Sequence, residues 1–336
     1  MTWKRRLLRW LPWLLALGLL WLVGRTIPLA GTWAALRRLR GWQLLALLAA
    51  NGLVLMAMNG RWAIILRGQG YPVPWFTLLG YRLASFGLSY FTPGPQFGGE
   101  PAQVYFLERY HKIPRPAAVA ALAVDKAQEL TVNFAFLAAG VFVVLQGGLF
   151  AGVVGLEAAF FALGLLILPL FFLAALGIGR RPVSGLLRLL GGIRPLQNRP
   201  AYQNIILTAY ESETQVAHLT RSAPLFLVGA FVVSLLGWLA LIGEYWLMMT
   251  FLGLPLTAVQ TITALTAARI AFLLPLPGGL GTLEASQVLV LGMMGFDPAV
   301  GISASLLIRA RDVSLGGLGL WWGGRKLRGV KVAPRS

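Results

Sequence analysis

The chain has 336 residues, 57% of them hydrophobic and only 12% charged, and its mean hydropathy is +0.73; a soluble domain carries about twice that share of charge. The net charge of +18 would suit a nucleic-acid binder, but the basic residues flank apolar stretches and form no separate domain, which sets nucleic acid aside as a partner. Cysteine is absent, so disulfides and thiolate metal sites are excluded, and the two histidines, His111 and His218, lie in basic flanks; we expect no metal and no cofactor.

Taken in order, the apolar stretches 7–24, 42–66, 116–145, 149–179, 224–252 and 298–323 are each long enough to cross a hydrocarbon layer, which takes about 20 helical residues. Backbone in lipid must satisfy itself, so these are expected to be helices, and no alternating pattern suggests a barrel. The first stretch follows Lys4, Arg5, Arg6 and Arg9 as a signal peptide would, but it lacks a small-residue cleavage site and reads as a retained span. Arg25, Arg37, Arg38 and Arg40 then fall on the outer side, where residues 32–40 read as a surface helix. The basic residues before span one, in 180–199 and after 324 place both termini in the cytoplasm of a bacterial-type inner membrane. Residues 180–222 read as a cytoplasmic basic loop with a short helix over 202–218. Tryptophans near span ends, among them Trp42, Trp321 and Trp322, read as an interfacial belt.

Two further apolar stretches are broken. Residues 75–91 run into TPGPQFGG, and 258–274 into PLPGGLG. The first returns to a basic cluster at Glu108, Arg109, His111 and Lys112, so it dips from inside. The second has no Lys or Arg in either flank, 253–257 or 295–298, so it dips from outside. Non-helical backbone at that depth is tolerated where protein buries it or where it lines a cavity.

The two breaks are copies. Displaced by 184 residues, Pro93 falls on Pro277, Gly94 on Gly278, Glu100 on Glu284, Gln103 on Gln287, Leu107 on Leu291 and Pro114 on Pro298. The expected fold is therefore an all-α polytopic membrane protein. It has about six full spans and two Pro/Gly-broken re-entrant hairpins in an inverted-topology repeat, within a single transmembrane domain over 1–336. Unit one covers about 42–145 and unit two about 224–323. Inverted repeats whose broken helices meet at mid-membrane are the plan of many secondary transporters.

Charge at membrane depth is costly and needs a partner or a purpose. The candidates are Arg82, Glu100, Asp125, Lys126, Glu129, Glu157, Glu244, Arg269, Glu284, Arg309, Arg311 and Asp312. The second arm of each hairpin starts at Gly98-Gly99-Glu100 and at Gly281 through Glu284. Its N-terminus points inward with free N–H groups, the arrangement that binds phosphate, and Gly278, Gly279 and Gly281 allow close approach. Glu100 and Glu284 instead satisfy the helix dipole, hold a coupling proton or cation, or pair with an arginine. Arg309 and Asp312 are spaced to pair along one helix face, as are Asp125 and Glu129, with Lys126 adjacent; these are coupling or structural ion pairs. Arg269, Arg309 and Arg311 are the arginines expected to take a lipid phosphate, because guanidinium meets phosphate in bidentate fashion.

The stretches PGPQFGGEPAQVYFL and LPLPGGLGTLEA, with LLIRARD in the last span, resemble the lysylphosphatidylglycerol synthase transmembrane-region family, the flippase-like integral membrane proteins. Gln103 stands where the family pattern has arginine or another polar residue. The resemblance covers about residues 5–325 and implies a stand-alone membrane region without the aminoacyl-transferase domain of the best-known members. It implies lipid translocation between leaflets; the arginines at membrane depth add the expectation of an anionic phospholipid or polyprenyl-linked lipid, which the resemblance itself does not name. Two other readings are a non-transporting scaffold for a cytosolic lipid-modifying enzyme and a membrane-embedded glycosyl- or phosphotransferase. No G-x-S-x-G, H-E-x-x-H or P-loop motif is present, and no catalytic residue is assigned.

Overall fold

A computed structural model describes residues 37, 39–91, 98–146, 155–190, 200–274, 276 and 279–328. The first expected span, most of the 32–40 surface helix, and Pro93, Gly94, Pro277 and Gly278 at the hairpin breaks lie outside them. The described residues form α1 (Gly41–Gly68), α2 (Trp75–Phe91), α3 (Glu100–His111), α4 (Arg115–Gln146), α5 (Leu156–Gly177), α6 (Pro182–Leu190), α7 (Pro200–Ser222), α8 (Pro224–Phe251), α9 (Ala258–Leu273), α10 (Thr282–Met293) and α11 (Pro298–Arg328), with no strand among them.

The helix boundaries follow local chemistry. Proline opens α6, α7, α8 and α11, where its missing N–H and fixed φ cost nothing. At α9, the Thr257 hydroxyl accepts from the Gln260 N–H, and the Gln260 side chain accepts from the Thr257 N–H, a reciprocal cap.

Four helices, α1, α4, α5 and α8, are long and apolar enough to cross a membrane. On α5, Phe160, Phe161, Ile167, Leu168 and Phe171 all point outward, as suits a lipid solvent. The last expected span is one helix, α11, of ample length. Its charged residues, Arg309, Arg311 and Asp312, keep it out of the clearly apolar group.

Residues 180–222 differ from the expected loop. They hold two helices, α6 and the 23-residue α7. Buried Glu213 of α7 accepts from the Val183 N–H (2.6 Å), the Ser184 N–H (3.2 Å) and the Ser184 hydroxyl (2.5 Å) at the start of α6. Leu219 and Val216 join the core around Trp62, Leu66 and Ala117. The polar composition of this stretch concealed that buried stripe. Trp322 also departs from the belt reading: it lies against Gly80, Tyr81 and Phe106.

Displaced by 184 residues, the starts of α1, α2, α3 and α4 fall within two residues of those of α8, α9, α10 and α11. The packing follows the same exchange. α1 lies against α8, while α2 lies on α11 and α9 on α4. Along the α1–α8 seam Gly68 meets Phe226, Gly60 meets Val233, Ala57 meets Gly237, Asn51 meets Glu244 and Trp42 meets Phe251. The ascending and descending numbers make the two helices antiparallel.

Small residues let the crossings close. A Cβ on Gly319 of α11 would sit 2.0 Å from the Leu83 carbonyl of α2, and one on Gly87 would sit 2.5 Å from the Gly316 carbonyl. Lipid provides no hydrophobic drive between helices, so close van der Waals approach at small residues takes that role.

Candidate functional site

Both short arms are pinned at their N-termini. In α3, the Gly98 N–H donates to Glu100 Oε2 (2.7 Å) and the Gly99 N–H to Ser89 Oγ (2.9 Å). Gly99 is required there: a Cβ would meet the Ser85 carbonyl at 2.0 Å. In α10, the Gly281 N–H donates to Glu284 Oε2 (3.0 Å). Gly281 has φ +79 and Gly279 φ +63, a backbone region that favours glycine. Arg309 forms a two-nitrogen pair with Glu284, and its Nη2 also donates to the Gly279 carbonyl (2.9 Å). The N–H groups of Gly98, Gly99 and Gly281, expected to face a substrate, are thus taken by Glu100, Ser89 and Glu284.

Between the two sets of helices lies a cavity of about 300 Å³ whose wall is built from α1, α2, α3, α4, α8, α9 and α11. Its unit-one side is an ion network. Asp125, fully buried, takes Arg61 Nε at 2.7 Å and Arg82 Nη2 at 2.9 Å. Arg61 also reaches Glu129 (2.7 Å) and donates to Ser234 Oγ of α8 (2.9 Å). Lys126 lies 3.3 Å from Glu129 and 3.6 Å from Glu100. Arg82 lies over the Trp62 ring at 5.4 Å. On the unit-two side, Arg311 pairs with Glu244 (2.5 Å) and with its neighbour Asp312 (2.9 Å), while Asn51 Nδ2 donates to Glu244 (3.3 Å).

Each unit therefore contributes three cations and three carboxylates. Arg61, Arg82 and Lys126 stand with Glu100, Asp125 and Glu129. Arg269, Arg309 and Arg311 stand with Glu244, Glu284 and Asp312. Among the described residues every one of these cations except Arg269 has a carboxylate within 4.0 Å. The Arg269 guanidinium instead lies over the Trp238 ring, 4.9 Å from its centroid, at the cavity wall. Cation–π contact partly offsets desolvation but leaves the N–H donors in the guanidinium plane for an anion. Two buried wall atoms, Gln103 Oε1 and Arg82 Nε, also have no hydrogen-bond partner among the described residues.

Of the expected site residues, the cavity brings together Arg82, Glu100, Lys126, Glu129, Arg269, Arg311 and Asp312. Arg309 and Glu284 are held by each other behind the wall. Arg309 does not pair with Asp312, because α10 packs on α11 and supplies Glu284 to that face. Asp125 and Glu129 are bridged by Arg61, a residue the sequence reading passed over. Its signal was present: an arginine inside an otherwise apolar span. Asn51 and Trp238 were missed too. Asn51 is an inexpensive residue in a helix, and Trp238 looked like one more apolar side chain.

The residues matched by the family described as lysylphosphatidylglycerol synthase TM region run from 9 to 318. A UPF0104 membrane protein of Methanothermobacter thermautotrophicus is 23% identical over 286 residues, which cover 82% of this chain and 82% of that one. No solved structure matches the chain. With nearly the whole length matched, and with both broken-helix motifs and the arginine-bearing last helix inside the match, the chain belongs to the lysylphosphatidylglycerol synthase transmembrane-region family of membrane proteins.

Proposed function

We propose that the chain carries an anionic lipid between the leaflets of the cytoplasmic membrane, with the headgroup received at Arg269 in the cavity between two inverted repeat units. One observation carries the reading: a guanidinium with no carboxylate partner among the described residues, stacked on Trp238 and facing a cavity with both apolar and charged walls. Unpaired charge inside a membrane protein is expensive, so a retained one points to a ligand that completes it. The antiparallel packing of α1 on its counterpart α8 fits an inverted repeat. So do the exchanged contacts of α2 with α11 and of α9 with α4. The α2–α3 and α9–α10 pairs then act as the re-entrant hairpins, and the cavity lies where broken helices of such transporters meet. Arg311 and Arg82 border the same space as the second rank of positive charge.

The test is lipid movement in vesicles containing the purified chain, followed with tail-labelled phosphatidylglycerol, phosphatidylethanolamine and polyprenyl phosphate. Wild type should move an anionic probe. Arg269→Ala should insert normally and slow that movement at least about tenfold, the equivalent of about 1.5–3 kcal/mol for a hydrogen bond to a charged group. Arg269→Lys should not restore it, because lysine lacks the planar fork. Full movement in Arg269→Ala would overturn the assignment.

A further inference from the structure

We infer that Glu100 is a proton site, and that an anionic headgroup enters the cavity together with one proton bound there. The inference rests on the transport reading above and assigns its coupling.

The starting point is charge balance. In the cavity wall and directly behind it, six cations (Arg61, Arg82, Lys126, Arg269, Arg309 and Arg311) stand with six carboxylates (Glu100, Asp125, Glu129, Glu244, Glu284 and Asp312), so this region is close to neutral among the described residues. A singly charged anion at Arg269 leaves one negative charge in excess, which a low-dielectric interior disfavours. A proton on one wall carboxylate restores the balance. No covalent bond of the lipid changes; the proton adds to a carboxylate oxygen and leaves from it.

The repeat shows which carboxylate is available. Glu100 and Glu284 are equivalent under the 184-residue displacement, and each caps its own helix. Glu284 is locked by Arg309. The position equivalent to Arg309 in unit one is Asp125, a carboxylate, and among the described residues no arginine lies within ion-pair distance of Glu100. Its ion-pair contact is Lys126 at 3.6 Å, longer than a hydrogen bond between charged groups. Glu129 shares that lysine but also holds Arg61 at 2.7 Å, and Asp125 holds two arginines. The other charged groups on the wall are Arg61, Arg82 and Glu129 beside Glu100, and Arg269, Arg311 and Asp312 across the space.

Protonated Glu100 would also gain something. Gln103 lies three residues on, on the same face of α3, and its buried Oε1 has no donor. The equivalent atom in unit two, Gln287 Oε1, accepts from the Tyr245 hydroxyl. A carboxylic acid at Glu100 supplies the donor that unit one lacks.

The test uses the full chain in phosphatidylcholine vesicles with acyl-labelled phosphatidylglycerol and an entrapped pH dye. An imposed pH gradient should speed lipid movement about tenfold, with proton flux into the vesicle tracking lipid. A potassium diffusion potential without a pH gradient should leave the rate within about twofold. Glu100→Gln, checked for insertion and melting temperature, should carry lipid without proton flux and without response to the gradient. Lipid movement with no proton flux in wild type, or unchanged flux per lipid in Glu100→Gln, overturns the coupling and leaves the transport reading standing. No movement of phosphatidylglycerol, phosphatidylethanolamine or polyprenyl phosphate by wild type overturns both.

Discussion

The two short arms, α3 and α10, begin with the same chemistry and end in different places. Both start on glycine, carry a glutamate in the first turn and have a glutamine three residues later. In α10 that equipment is closed off. Glu284 is paired with Arg309, and Gln287 accepts from the Tyr245 hydroxyl while its Nε2 donates to the Ala264 carbonyl (3.1 Å). In α3 the same residues face the cavity: Glu100 accepts from the Gly98 N–H and has Lys126 as its one ion-pair contact among the described residues, where Gln103 Oε1 also has no hydrogen-bond partner. Two arms with the same starting pattern thus sit in different surroundings, because the residues at the matching partner positions differ: Arg309 against Asp125, and Tyr245 against Arg61. Arginine at 61 in turn serves the carboxylates of α4.

That contrast predicts unequal costs for equal substitutions. The largest gap should come from the glutamates. Glu284→Ala strands Arg309 in the core and should cost about 3–5 kcal/mol, as breaking a buried pair does; Glu100→Ala, at a partly open pair, should cost about 1 kcal/mol or less. Thermal unfolding of the two variants in detergent measures the difference, and equal melting temperatures would erase the distinction between the arms. The glutamines should follow on a smaller scale. Gln287→Leu leaves the Tyr245 hydroxyl and the Ala264 carbonyl without partners, about 1–3 kcal/mol, whereas Gln103→Leu removes a side chain whose oxygen already lacked a donor and should be close to neutral. The smallest effect sits at the far end of α3, beyond the spanning helices. Burial, and then the Lys326 charge, hold His111 below its ordinary value of 6.5. The folded state therefore favours neutral imidazole. Its contribution to stability is complete above about pH 6.5 and is lost as pH falls below that value, where the unfolded chain takes up the proton first. Melting temperature recorded from pH 8 to pH 5 should fall more steeply in wild type than in His111→Gln. The end of α10 has no titratable counterpart, so no variant there should change the slope.

Much of the architecture was legible from residue order. Apolar length placed α1, α4, α5 and α8, Pro/Gly runs placed the ends of the short arms, and the shared Pro, Glu and Gln pattern showed that the arms were related. What could not be read was which neighbour each charge would choose. Arg309 had Asp312 on its own helix face, yet its partner came from α10, because helix packing brought Glu284 nearer than a rotamer along α11 could bring Asp312. Arg61 was hidden by the apolar average of its span, and α6 and α7 by the polarity of theirs.

Periodicity, composition and covalent spacing are properties of the chain, so the sequence alone determined the membrane class, the long apolar helices, the common pattern of the two short arms and the family. Electrostatic pairing depends on distances between residues far apart in sequence, and those are set only when α1 closes on α8, α2 on α11 and α9 on α4. That closure left Arg269 without a carboxylate partner among the described residues, and it set Glu100 beside the cavity while Glu284 is paired with Arg309.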